Sequence, residues 1–182
     1  LENTLGVPCF DLINSVSNIV KKGIVGVLAT PTTIKSSYYK KVLSHKHKNI
    51  KIIQQECPEF VPEIEKNQLD ENKLKILSDL YLEPLLKNNI NQLILGCSHY
   101  PLIKDIIVSD INPDIKIIDP SEALIKNLND HFLISRNFPT KNIQYGDVNF
   151  FVTANNMNFS EKVENWLEIN KEIRLVNLGS ND

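Results

Sequence analysis

The stretch Leu93-Ile94-Leu95-Gly96-Cys97-Ser98-His99-Tyr100-Pro101 decides the fold. An apolar run suited to a buried strand ends in a glycine, then delivers a thiol and an imidazole two residues apart. Pro101 follows, and proline suits the first turn of a helix, where its missing N–H costs nothing. The spacing predicts Cys97 at the carboxyl end of a parallel strand and at the amino end of a helix. Open α/β sheets bind ligands in that crevice. A helix N-terminus lowers a thiol pKa from about 8.5 toward neutrality and attracts carboxylates. Place and residue type together point to a reactive thiolate. Two plainer readings stay open: Cys97 as a small buried hydrophobe, and Cys97 with His99 as zinc ligands. The zinc reading lacks a C-x-x-C or H-x3-H companion, since Cys9 and Cys57 stand alone and His45 and His47 lie in a lysine-rich stretch.

Outward from this segment, short β-branched runs alternate with amphipathic stretches, the pattern of a parallel-sheet α/β protein. Residues 7–10 form a short apolar run, with Cys9 reading as a buried strand residue. A helical stretch follows with Leu12, Ile13, Val16, Ile19 and Val20 on one side. Strands are expected at 24–29, 50–53, 92–95, 115–118 and 150–153, with a last edge strand at 173–176. Thr30-Pro31-Thr32-Thr33 opens a helix containing Tyr38, Tyr39 and Val42, and 55–58 reads as a loop. Leu74, Leu77, Leu80, Tyr81 and Leu85 mark a longer helix. Asp119-Pro120-Ser121-Glu122 is a helix start, with Asp119 as cap, Pro120 first and Glu122 reaching back. Asn158 and Glu161 read as caps of a final helix that carries Phe159, Val163, Trp166 and Leu167 inward as core. The polar stretch 131–144 is a loop or hinge candidate.

The chain has 182 residues, 42% hydrophobic and 23% charged, with a formal net charge of −2, an ordinary balance for a globular protein with ample core. Near-neutral charge argues against a dedicated nucleic-acid surface. Three cysteines make no disulfide framework, so a reducing cytoplasm is the expected home. No stretch is long and apolar enough to span a membrane, and no secretory signal leads the chain.

The motifs in series resemble the cofactor-independent aspartate/glutamate racemase family over nearly the whole chain. Residues 26–33 resemble its strand-to-helix segment ending in T-x-x-T, and Cys57-Pro58-Glu59-Phe60-Val61-Pro62-Glu63-Ile64-Glu65 is similar to its C-P-x-F-V-P-x-x-E loop. Residues 95–101 resemble its G-C-[ST]-H-Y-P signature. Asp119-Pro120-Ser121-Glu122-Ala123 and Phe151-Val152-Thr153 follow in the expected order.

The resemblance implies two pseudo-symmetric parallel-sheet α/β lobes with the active site between them. Residues 10–119 would form the complete lobe carrying Cys97, while 1–9 and 120–182 would belong to the other. It also implies a two-base mechanism without metal or pyridoxal phosphate, in which one cysteine takes the α-proton from one face of glutamate and another returns a proton to the opposite face. Such a weak carbon acid needs a desolvated, oriented base. Cys97 matches the cysteine associated with the L-enantiomer, and His99 would assist it as neighbouring acid or base. Ser98 stands at the family's usual threonine position, and its hydroxyl and amide would hold substrate. Thr30 and Thr33 would offer hydroxyls at a helix mouth, and Glu65 matches a carboxylate near the site, with Glu63 as its competitor. Plainer roles stand beside these: Thr30 as a helix cap, Glu65 as a surface acid, His99 as a turn partner and Tyr100 as packing.

The family's D-S-G, P-Y-G and A-C-N-T-A motifs, the last carrying the first catalytic cysteine, do not occur in this sequence. Residues 1–182 are therefore expected to be the C-terminal portion of an enzyme, with the first lobe incomplete and little racemisation alone. The implied role is supply of D-glutamate for peptidoglycan, with glutamate as the small-molecule partner and a homodimer among the assemblies the family uses. A racemase for aspartate or another amino acid, a catalytically incomplete binding or interaction module of the same fold, and a Cys-His hydrolase remain as alternatives.

Overall fold

A computed structural model of the chain describes residues 6, 8–66, 68–135, 149–154, 157–167 and 172–179. Contacts divide it into two units, Leu1–Arg136 and Asn137–Asp182. The first is built around four parallel strands: β1 (Gly23–Ala29), β2 (Ile50–Glu56), β3 (Gln92–Leu95) and β4 (Lys116–Ile118), in the order β2-β1-β3-β4. Helices cover both faces: α1 (Leu12–Ser17), α2 (Pro31–Ser36), α3 (Tyr38–Lys46), α4 (Phe60–Ile64), α5 (Glu71–Leu86), α6 (Lys104–Val108) and α7 (Pro120–Ser135).

Strand alternation feeds two separate cores. Leu28, Leu93 and Leu95 face one side and meet Phe60, Leu74, Leu82, Leu85 and Tyr100. Val25, Val27, Ala29 and Ile94 face the other and meet Val16, Tyr39, Leu43 and Ala123. Strands buried on both faces read as continuous apolar runs, which is why β3 is so legible. In α5, Leu74, Leu77, Tyr81 and Leu85 are buried at helical spacing, whereas Ile76 and Leu80 face outward. Its start is fixed by Asp70, whose carboxylate accepts the N–H of Lys73 at 3.0 Å.

Several sequence expectations need correction. Strand β2 runs on through Gln55 and Glu56, because their backbones continue the ladder against Leu28 and Ala29, and an edge strand tolerates polar side chains. Residues 8–10 form no strand and Cys9 is exposed; Val7 lies outside the described residues. Residues 131–135 are helical, the end of α7, and 136–144 lie outside the described residues. Asp119 does cap α7, accepting the N–H of Ser121 at 2.8 Å, but Glu122 pairs with Lys104 at 3.6 Å instead of reaching back.

The second unit pairs β5 (Phe150–Val152) in parallel with β6 (Ile173–Leu175), and includes α8 (Met157–Leu167). Helix α8 begins at Met157, so Asn158 and Glu161 lie inside it and not ahead of it. Val163 is buried and Phe159 half-buried, but Trp166 and Leu167 are exposed. An 11-residue helix with one inward face buries only a narrow stripe, and the Trp166 ring lies 5.9 Å from the Lys162 ammonium.

Candidate active site

All four strands of the first unit end at the same edge, and the residues that follow them line it: Thr30 after β1, Cys57 after β2, Gly96 and Cys97 after β3, Asp119 after β4. The chain leaves β1 for β2 on one side, then returns across to β3 on the other. The strand order therefore reverses between β1 and β3, the topological switch point at which open α/β sheets bind ligands. Thr30 and Cys97 stand at the ends of those two strands.

Close approach of these strand ends requires Gly96. Its N–H donates to the Leu28 carbonyl at 2.7 Å, and a Cβ there would sit 2.7 Å from that same oxygen and 3.1 Å from the Tyr39 ring. Immediately afterwards the backbone turns: the Cys97 N–H donates to Leu95 and the Tyr100 N–H to Cys97, at 2.9 and 3.2 Å. The element that follows is a 3-10 turn, Tyr100–Ile103, leading into α6. Cys97 thus precedes a four-residue 3-10 turn and not the α-helix N-terminus expected from Pro101.

Burial also works against the expected acidity. Burial pushes the half-buried Cys97 thiol up, outweighing the backbone N–H groups of His99 and Tyr100 that favour its thiolate. Burial thus opposes the thiolate that a helix N-terminus would favour.

Its proton has a neighbour to go to. Cys97 Sγ lies 3.7 Å from His99 Nδ1, and His99 Nε2 lies 3.1 Å from Glu65 Oε1. With Nε2–H donating to the carboxylate, Nδ1 presents its lone pair to the thiol. Glu63 faces elsewhere: its buried carboxylate accepts from Lys66 and Lys73, both at 2.6 Å, and these hold its pKa below the usual carboxylate range. The structure therefore separates the two glutamates, with Glu65 on His99 and Glu63 in an ion-paired cluster.

Across the switch point, Thr30 accepts the Thr33 N–H at 3.4 Å as the cap of α2, and the two hydroxyls lie 3.0 Å apart. Ser98 is exposed beside Cys97. Three residues not singled out for the site also belong to this edge. Tyr39 is buried against Gly96, and that burial pushes its phenol up from its ordinary value. Tyr100 is fully buried and donates to the Cys57 carbonyl at 3.5 Å. Cys57 is enclosed, and burial pushes its thiol up to about 12. The expected helical period of 38–42 does not say which tyrosine faces a strand end, so Tyr39 gave little signal.

Among the described residues, no three or more His, Cys, Asp or Glu side chains gather as a metal site, and no helix is long and apolar enough to cross a membrane.

No protein-family model matches the chain. It is 42% identical over 182 residues to a glutamate racemase of Prochlorococcus marinus (strain NATL1A), covering 98% of this chain and 67% of that protein. A glutamate racemase of Synechococcus sp. (strain CC9605) is 31% identical over 93% of this chain and 65% of its own length. Among solved structures, the glutamate racemase of Francisella tularensis in complex with D-glutamate superposes with a TM-score of 0.85 at 31% identity, over 97% of this chain and 66% of that one. A Bacillus anthracis glutamate racemase gives 0.84 at 27% identity, over 97% and 67%. The chain spans about two thirds of the length of these proteins, and over that span it belongs to the glutamate racemase family.

Proposed function

We propose that this chain carries the half-site of a glutamate racemase that exchanges the α-proton of L-glutamate, with Cys97 as its base. The observation that carries this reading is the chain of contacts Cys97–His99–Glu65 at the switch point between β1 and β3. Cys97 Sγ–H passes its proton to His99 Nδ1, and Glu65 stabilises the imidazolium that results. The thiolate then takes the proton from Cα, and the C–H electron pair moves into the α-carboxylate as an enediolate. A thiol with a raised pKa gives a more basic thiolate, which suits so weak a carbon acid. Ser98 and the Thr30–Thr33 hydroxyls would donate hydrogen bonds to the substrate carboxylates.

Inversion needs an acid on the opposite face. Cys57 is enclosed in the core, its thiol pushed up to about 12 by burial, and Cys9 lies ahead of α1 on the surface. The described residues thus offer one suitable thiol, and this chain exchanges from one face without efficient inversion. In the two-lobe reading, 10–119 form the lobe of that thiol, and 1–9 with 120–182 contribute to the other. The reaction uses no cofactor, and its place is the cytoplasm, supplying D-glutamate to peptidoglycan; a homodimer is the assembly this reading allows.

The test is deuterium incorporation at Cα of each enantiomer, with Cys97→Ala beside the parent chain. Exchange confined to L-glutamate and lost in the variant supports the reading. A second reading, a glutamate-binding module without turnover, is favoured by the burial of the Cys97 thiol, which opposes thiolate formation, and it predicts saturable binding with no exchange.

A further inference from the structure

The charge of this chain is sharply segregated. Residues 12–55 contain eight lysines and no acidic residue. Of the chain's 20 basic residues that leaves 12 to face all 22 acids, a net charge of +8 here against −10 elsewhere. Ion pairing follows the same division. Between residues 56 and 115 all five lysines lie within 4.0 Å of a carboxylate. Among the described residues, none of the eight lysines of 12–55 does. Their charge is left to solvent or to a ligand.

Part of this surface is concave. A cleft of about 700 Å³ lies between α1 and α3, with Asn14 and Ser17 on one wall and Tyr38, Lys41, His45 and Lys46 on the other. It is a built site and not a flat patch. Ser17 is 5% exposed, its hydroxyl donates to the Asn14 carbonyl at 2.6 Å, and it accepts from the Lys46 ammonium at 3.4 Å. Lys46 also donates to the Asn18 side chain, and His47 Nε2 bonds the Ser17 carbonyl at 2.8 Å. Every acceptor that holds Lys46 is neutral, so its full charge remains available at the cleft. The hydroxyl of Tyr38, 3.4 Å from the Asn14 amide nitrogen, closes one end.

We propose that the cleft between α1 and α3 binds a compact, multiply charged phosphate anion, held by Lys41, His45 and Lys46. The volume suits a small molecule. The charge distribution selects against a long polyanion, because a strand running beyond this surface would meet a chain whose remaining charge is −10. The site stands apart from the Cys97 machinery, and its failure would leave the proposed exchange reaction untouched.

Calorimetric titration of pyrophosphate and of ADP into the 182-residue chain at low ionic strength tests it. Both present a diphosphate. The expected result is one-to-one binding that weakens about tenfold or more in Lys41→Gln and in His45→Gln, as for loss of a charge-assisted contact. Lys41→Arg keeps it, and Lys87→Gln, which removes a lysine already paired with Glu83, leaves it unchanged. Equal affinities would show that the free anion suffices, and tighter ADP binding would assign the diphosphate to a larger organic ligand. Absence of binding by both, affinity unmoved by Lys41→Gln and His45→Gln, or tighter binding of a single-stranded oligonucleotide would overturn the proposal.

Discussion

Nε2 of His99 lies 3.1 Å from Oε1 of Glu65, on a face of α4 and its following turn that Glu63, two residues earlier, does not share. In the proposed reaction Glu65 acts on Cys97 through the imidazole, as a positioning residue, while Glu63 holds Lys66 and Lys73. His99→Gln should lower L-glutamate exchange by about a hundredfold, the lower range for loss of a positioned acid or base. Glu65→Gln should lower it less, about tenfold, and should shift the pH profile of the reaction, which a merely structural role would not do. Exchange rates across pH in both variants check this.

Cys97 should be a slow nucleophile at neutral pH. Burial favours its neutral form, so the thiolate fraction rises only above the ordinary thiol range of about 8.5. The rate of alkylation by iodoacetamide should keep climbing beyond that pH. A plateau already near pH 7 would mean that the nearby N–H groups outweigh burial.

Cys57 makes a stability prediction of definite sign. Its pKa is about 12 in the folded chain and about 8.5 when unfolded, so between these values the folded state holds more protons. Its contribution is fully present below about pH 8.5 and is lost as pH rises toward 12. Denaturant unfolding should show falling stability over this window, with Tyr39 and Tyr100 adding to the fall from about pH 10. Cys57→Ala should cost about 1 kcal/mol at neutral pH, and its stability should fall less steeply from pH 8.5 upward.

Gly96→Ala should both destabilise the chain and silence the site. A methyl group 2.7 Å from the Leu28 carbonyl forces β3 away from β1, where neither backbone has room to move. The expected cost is about 1–3 kcal/mol, that of overpacking a filled core. Thermal unfolding measures the first effect, and exchange on the folded fraction measures the second.

The strand that ends at Cys97 was plain in the sequence, because four consecutive apolar residues before a glycine describe a strand buried on both faces. The cap at Asp119 was equally plain, since Asp-Pro has a local mechanism. The acidity of Cys97 was not. Pro101 signals a helical turn without saying that it is 3-10, and no local pattern reveals how deeply a thiol is buried. Glu63 and Glu65 were inseparable for a similar reason: α4 has only five residues, too few for periodicity to assign its faces. Tyr39 was hidden among helix residues, and only the close approach at Gly96 identifies it. The outward turn of Trp166 and Leu167 was likewise hidden, because periodicity does not say how wide a stripe of a helix finds a partner.

The most direct test of the central claim is solvent-deuterium incorporation at Cα, followed by mass spectrometry and chiral analysis for L- and D-glutamate separately. Deuterium entering L-glutamate with retention of configuration, and ceasing in Cys97→Ala, is the predicted result. Exchange that survives in Cys97→Ala, or that occurs only with D-glutamate, would contradict the assignment of Cys97 as the base of this half-site.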